Sequence, residues 1–88
     1  MRSIRRTSQF KKDIKRAERR RKDLNKFKKV IEKLVQGEPL EARYKDHVLV
    51  GGYKGTRECH LEPDWLLIYE QTEEELVLIR TGTHADLF

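Results

Sequence analysis

Apolar residues at three- and four-residue steps or their sums (Phe10, Ile14, Ala17, Leu24, Phe27, Ile31, Leu34) draw one helical stripe through the first 36 residues, then stop at Gly37 and Pro39. A stripe must be buried, and a single rod of that length in an 88-residue chain would leave little to cover it. The stripe breaks at Arg19 to Lys22, four consecutive cations followed by Asp23, a residue type that caps helix starts. The spacing therefore predicts helix over most of residues 8 to 36, opened by Thr7-Ser8 and folded as a two-helix hairpin. Gly37 supplies the C-cap and Pro39 prevents continuation.

Beyond a connecting segment from Gly37 to Asp46 the period changes. Segments around Tyr53 to Glu62, Trp65 to Glu70 and Leu76 to Arg80 are short, rich in β-formers and separated by Pro63-Asp64 and by Gln71 to Glu75. Three strands in an antiparallel meander follow, one face burying the helical stripe and the other open. Residues 2 to 6, with Ile4 as their only apolar member, make a strand only if a sheet elsewhere recruits them. The expected fold is a two-layer α+β sandwich, one domain over residues 1–88, with the helical hairpin packed on a small twisted antiparallel sheet. Gly51, Gly52 and Gly55 mark a turn or close approach and lack the spacing of a nucleotide-binding loop.

Charge is sorted along the chain. Residues 1 to 36 hold fifteen Lys and Arg against four Asp and Glu, a net of +11; residues 37 to 88 hold five against eleven, a net of −6. A dense cationic face attracts phosphates without discriminating sequence, although the same run also suits a solvated helix face. Membrane-surface binding fits less well, because the helical half lacks an interfacial Trp. The longest apolar run, Trp65 to Tyr69, is far too short to span a bilayer, and no apolar stretch follows the basic start to make a secretory signal. One cysteine, Cys59, allows no internal disulfide and reads as a small half-buried strand residue. A cytoplasmic protein without membrane association is expected.

All three histidines, His47, His60 and His84, fall in the second half near Asp64 and Arg80. Cutting RNA with side chains alone needs a base for the 2′-hydroxyl, an acid for the departing 5′-oxygen and a cation at phosphorus, and these are suitable types. His60 and Asp64 flank the Pro63 turn, Arg80 ends the last predicted strand, and His84 follows across Gly82. A loop would bring His47 to the same edge. Duller readings stand beside this one: surface histidines, an Arg80 salt bridge to Glu62 or Asp64, and Trp65 and Tyr69 as packing with base stacking as the alternative. His60, Asp64 and His84 also offer three zinc-ligand types, but His-x3-Asp across a Pro turn is a weak metal pattern. No metal or cofactor is expected. Lys54 and Arg57 are available for phosphate contacts.

The run YKDHVLVGGYKGTRECHLEPDWLLIY at residues 44 to 69, with RTGTHADLF at residues 80 to 88, resembles the YafQ-type branch of the RelE/ParE toxin superfamily. The likeness extends to the basic helical half. It implies a helical hairpin on a small antiparallel sheet with the N-terminal segment as one strand. It further implies metal-free cutting of messenger RNA in the ribosomal A site and neutralisation by an antitoxin, usually of the ribbon-helix-helix type, that meets operator DNA as the complex. The family's functional positions fall on His47, His60, Asp64, Arg80, His84 and Phe88. In the scheme this suggests, Asp64 or His60 is the base and His84 the acid. Arg80 stabilises charge, His47 orients the nucleotide, and Phe88 stacks on a base or positions His84. The cations Lys11, Lys12, Lys15, Arg16, Arg19, Arg20, Arg21 and Lys22 would meet ribosomal RNA. Two other classes remain open: a gyrase-poisoning toxin of the same fold and a non-catalytic basic RNA- or ribosome-binding protein.

Overall fold

The computed structural model describes residues 1–49 and 55–88. The chain runs β1 (Ser3–Arg6), α1 (Ser8–Arg19), α2 (Leu24–Gln36), a 3-10 turn (Ala42–Tyr44), β2 (His47–Val48), β3 (Arg57–Glu62), β4 (Trp65–Gln71), β5 (Glu75–Gly82) and α3 (His84–Leu87). The strands form one sheet in the order β1-β5-β4-β3-β2. The meander of β3, β4 and β5 is antiparallel as expected, but β1 joins β5 in parallel, so the sheet is mixed.

The hairpin breaks where the charge run predicts. Thr7 caps α1, its hydroxyl accepting from the Phe10 amide and donating to the Ile79 carbonyl, which ties the helix start to β5. Arg21 takes a left-handed φ of 59°, while the Lys22 amide closes onto the Ala17 carbonyl and the Arg21 amide onto that of Glu18. Asp23 caps α2, and Gly37 ends it with φ 77°. Arg2 then donates to the Leu34 carbonyl at 2.8 Å, a cation on the negative end of the helix.

Phe10, Ala17, Val30, Ile31 and Leu34 meet Cys59, Leu61, Trp65, Leu67, Tyr69, Leu76 and Leu78 to form the main core. Residues 65 to 69 are all buried, because β4 is the middle strand and is covered on both sides. The far face is thus not open along its length, as the sequence suggested: Leu66 and Ile68 pack under Leu87 of α3, with Leu49 and Ile79 beside them. Trp65 is core, 1% exposed, with its indole N–H donating to the Thr81 hydroxyl, and this burial removes it as a base-stacking surface. Cys59 is fully buried where half-burial was expected, and its thiol is pushed up to about 12, chiefly by burial, so it is no nucleophile.

Other expectations need adjustment. The first meander strand begins at Arg57 and not at Tyr53; residues 50 to 54, including Gly51, Gly52, Tyr53 and Lys54, lie outside the described residues. The last strand continues to Gly82, which places Arg80 inside β5 instead of at its end. His47 sits on a two-residue strand, not in a loop. A bulge in β5 inserts one extra residue opposite Ile68 and Tyr69. Leu78 and Thr81 consequently both turn to the helix side, and Arg80 reaches α1.

Candidate active site

Strand alternation sends Cys59 and Leu61 into the core and so puts Glu58 and His60 on the opposite face of β3. His47 of β2 pairs in register with Glu58. One carboxylate oxygen of Glu58 lies 3.3 Å from His60 Nε2 and 3.6 Å from His47 Nε2. His47 Nδ1 in turn sits 2.6 Å from the Lys45 carbonyl. An acceptor-only carbonyl there requires the proton on Nδ1, so His47 presents Nε2 to Glu58.

His84 opens α3, whose start is fixed by a capping box between Thr83 and Asp86. Asp64, from the tight β3–β4 turn, accepts from both the His84 amide at 2.9 Å and its ring Nδ1 at 2.6 Å. Those two bonds hold the Asp64 carboxyl below its ordinary value, the amide contributing most. The turn that carries His84 is anchored again by Asp86, which takes Arg20 at 2.6 Å and 3.2 Å and Arg16 at 3.3 Å. Gly82 is required here: a Cβ at that position would come within 2.9 Å of the Asp86 side chain. The rings form a row, His47 to His60 at 6.5 Å and His60 to His84 at 5.7 Å between centres.

The structure thus brings His47, His60, Asp64 and His84 together and adds Glu58, which sequence reasoning passed over because an acidic residue in a strand reads as solvated. Its signal was its place two residues before His60, on the same strand face. Arg80 stands in the cross-strand row of Glu58 and Ile68. Its guanidinium binds Asp13 of α1 through Nε at 2.8 Å and a terminal nitrogen at 3.2 Å, a structural pair of the kind weighed as the duller reading but with a different partner from Glu62 or Asp64. Burial pushes the Asp13 carboxyl up, but hydrogen bonds from Arg80, Gln9 and the Thr81 amide outweigh it and leave the value lowered. Phe88 follows α3 and is exposed.

Among the predicted RNA-contacting cations, Lys11, Lys12, Lys15, Arg19 and Arg21 are exposed. Arg16 and Arg20 serve Asp86, Lys22 binds Glu62 at 3.2 Å, and Arg57 clasps Asp46 together with the Tyr69 hydroxyl. Beside the row opens a cleft of about 680 Å³, lined by Lys26 and Lys29 of α2, Arg43 and Lys45 at the 3-10 turn, and His60 and His84. Among the described residues no group of three His, Cys, Asp or Glu is arranged to hold a metal ion. Nor is any described helix long and apolar enough to cross a membrane.

A helical hairpin on one face of a small mixed sheet, with clustered histidines and carboxylates on the other, defines a toxin fold of the RelE type. More narrowly, the chain belongs to the YafQ family, bacterial toxins of type II toxin–antitoxin systems, whose sequence model matches residues 2–88. It is 50% identical over 88 residues to the mRNA interferase toxin YafQ of Escherichia coli K12, covering 99% of this chain and 96% of that one. The crystal structure of the E. coli DinJ–YafQ toxin–antitoxin complex superposes with a TM-score of 0.92 at 50% identity, covering 99% of this chain and 97% of the other. A metal-bound toxin from Helicobacter pylori superposes at 0.93 with 43% identity and full coverage of both chains.

Proposed function

We propose that this toxin is a ribosome-dependent endoribonuclease that cuts messenger RNA in the A site and so halts translation. The observation that carries the reading is the His60 and His84 pair, 5.7 Å apart, with His84 oriented by Asp64. Two imidazoles at that spacing can serve the attacking and leaving oxygens of one phosphodiester. His60, its ring close to Glu58, takes the 2′-hydroxyl proton. His84, its Nδ1 proton held by Asp64, gives a proton from Nε2 to the 5′-oxygen. The products are a 2′,3′-cyclic phosphate and a 5′-hydroxyl, so the step balances with side chains alone. Arg80, its guanidinium shared with Asp13, stabilises the charge that builds on phosphorus, His47 orients the nucleotide, and Phe88 stacks on a base or positions His84. The exposed cations Lys11, Lys12, Lys15 and Arg19 of α1 and Arg21 in the turn after it meet ribosomal RNA, with Lys54 and Arg57 as further phosphate contacts.

The E. coli relative's complex with DinJ supports a cognate antitoxin for this chain too. We place it in the ribbon-helix-helix class, with operator DNA reached only through the toxin–antitoxin complex and the whole cycle in the cytoplasm. The test is a translating extract in magnesium buffer, supplied with the protein or its His84→Ala variant, with 5′ ends mapped on a reporter message. New ends should appear only with ribosomes, and the variant should cut about 10²- to 10⁴-fold more slowly. Blocked translation with no new ends would replace the nuclease by a toxin that acts through binding.

A further inference from the structure

The cleft beside the histidine row has a charge excess that the site's chemistry does not use. Glu62 is its carboxylate, and that group is already matched: Lys26 reaches it at 2.9 Å and Lys22 at 3.2 Å. Lys29 and Lys45 are exposed and carry no ion pair among the described residues. Arg43 is shared only weakly, 3.4 Å from Glu41, which Lys33 holds more closely at 3.1 Å. Its guanidinium donates to the Tyr44 hydroxyl at 2.9 Å, with its carbon 4.8 Å from the centre of that ring, so Arg43 and Tyr44 line the cleft together. A volume of about 680 Å³ lies within the roughly 300–1,000 Å³ of ligand-binding clefts.

Position makes the excess informative. His60 and His84 line the cleft, but His47, beyond His60 in the row, does not. A strand whose scissile phosphate rests at His60 and His84 and which continues into the cleft therefore runs past Lys29, Arg43 and Lys45. We infer that this cleft is a phosphate-binding channel for single-stranded RNA, holding the message beside the scissile bond. It rests on the nuclease reading for its place next to that bond, and on geometry and charge for its ligand. Its hold is on backbone phosphates and is indifferent to base identity. The α1 run, carried by a different helix, is left to ribosomal RNA.

The test uses a short single-stranded RNA with methylated 2′-hydroxyls, which cannot be cut, and reads binding by fluorescence anisotropy across a salt series. The double variant Lys29→Gln/Lys45→Gln should bind about tenfold more weakly, with the slope of log affinity against log salt smaller by about 1.4, two contacts at about 0.7 each. The double variant Lys11→Gln/Lys15→Gln on α1 should keep the probe's affinity within about twofold while co-sedimenting less with empty ribosomes. Both pairs are exposed, and unchanged melting temperatures will show that the fold is intact. Equal losses in the two variants, no loss in the cleft variant, or no binding by the unmodified protein would overturn the channel. So would a cleft variant that loses ribosomes but keeps the probe, since ribosomal RNA would then be the occupant. Because the probe is inert, a protein that binds it through the cleft yet cuts no message keeps the channel and loses only the nuclease.

Discussion

On the helix side of the sheet polar groups are buried and saturated, whereas on the far side they are more exposed and joined by few bonds. Asp13, 2% exposed, accepts four hydrogen bonds: two from Arg80, one from Gln9 and one from the Thr81 amide. Trp65 and Thr81 complete each other with the Leu66 carbonyl, and no buried side-chain nitrogen or oxygen among the described residues lacks a partner. The His84 ring, 55% exposed, is held by a single bond to Asp64. A fully bonded buried network fixes one geometry and costs heavily when cut, while a half-exposed imidazole keeps a nitrogen for a substrate. The strands are shared, and alternation, shifted once by the β5 bulge, assigns the two duties.

The sharpest way to break this division is at Asp13. Asp13→Ala leaves the Arg80 guanidinium without its buried partner and should destabilise the fold by about 3–5 kcal/mol, read as a lowered urea midpoint. Activity per folded molecule should fall less steeply than stability, and a variant as stable as the unmodified protein would show that the network is not structural. On the far face the order of effects should reverse. Asp64→Asn still accepts at its amide oxygen but no longer offers a charge to His84, so cleavage should drop about 10- to 100-fold with the melting temperature unchanged. A loss of stability matching the loss of rate would place Asp64 with the structural groups.

How much of this was legible depended on how local the signal was. The two helices, their break and their caps were written in spacing and in Thr7, Asp23 and Gly37, and the structure keeps all three. β1 carries no periodic pattern and becomes a strand because β5 offers it an edge, a fact set some 70 residues away. α3 is too short for periodicity and was not anticipated, although Thr83 and Asp86 stand at capping-box spacing. Asp13 was legible in principle, lying three residues after Phe10 and four before Ala17 on the apolar stripe, where a carboxylate must find partners. Arg80's commitment to it was not, because the β5 bulge that makes it reachable leaves no mark in the sequence. The histidine cluster was inferred from strand ends and resemblance, but the shared Glu58 contact required the register of β2 on β3.

Asp86 straddles the division and should give the smallest effect. It is a structural clamp, through Arg20, Arg16 and Thr83, on the turn that presents a functional histidine. Its carboxyl is held well below its ordinary value, first by the Arg20 hydrogen bond and then by the Thr83 amide, against a burial cost. A carboxyl lowered in the folded state contributes stability that is complete above its unfolded value of 3.8 and is lost as pH falls through the folded value. Asp86→Ala should therefore melt earlier than the unmodified protein at neutral pH, by the roughly 1 kcal/mol usual for a helix cap. The gap should close progressively as pH is lowered below about 4. If Asp86 also positions His84, cleavage by Asp86→Ala should fall a few-fold in kcat with KM unchanged, and Asp86→Glu should restore part of it. A gap in melting temperature that stays constant between neutral and acid pH would show that the carboxylate's charge contributes nothing, leaving the Thr83 cap alone to hold the turn.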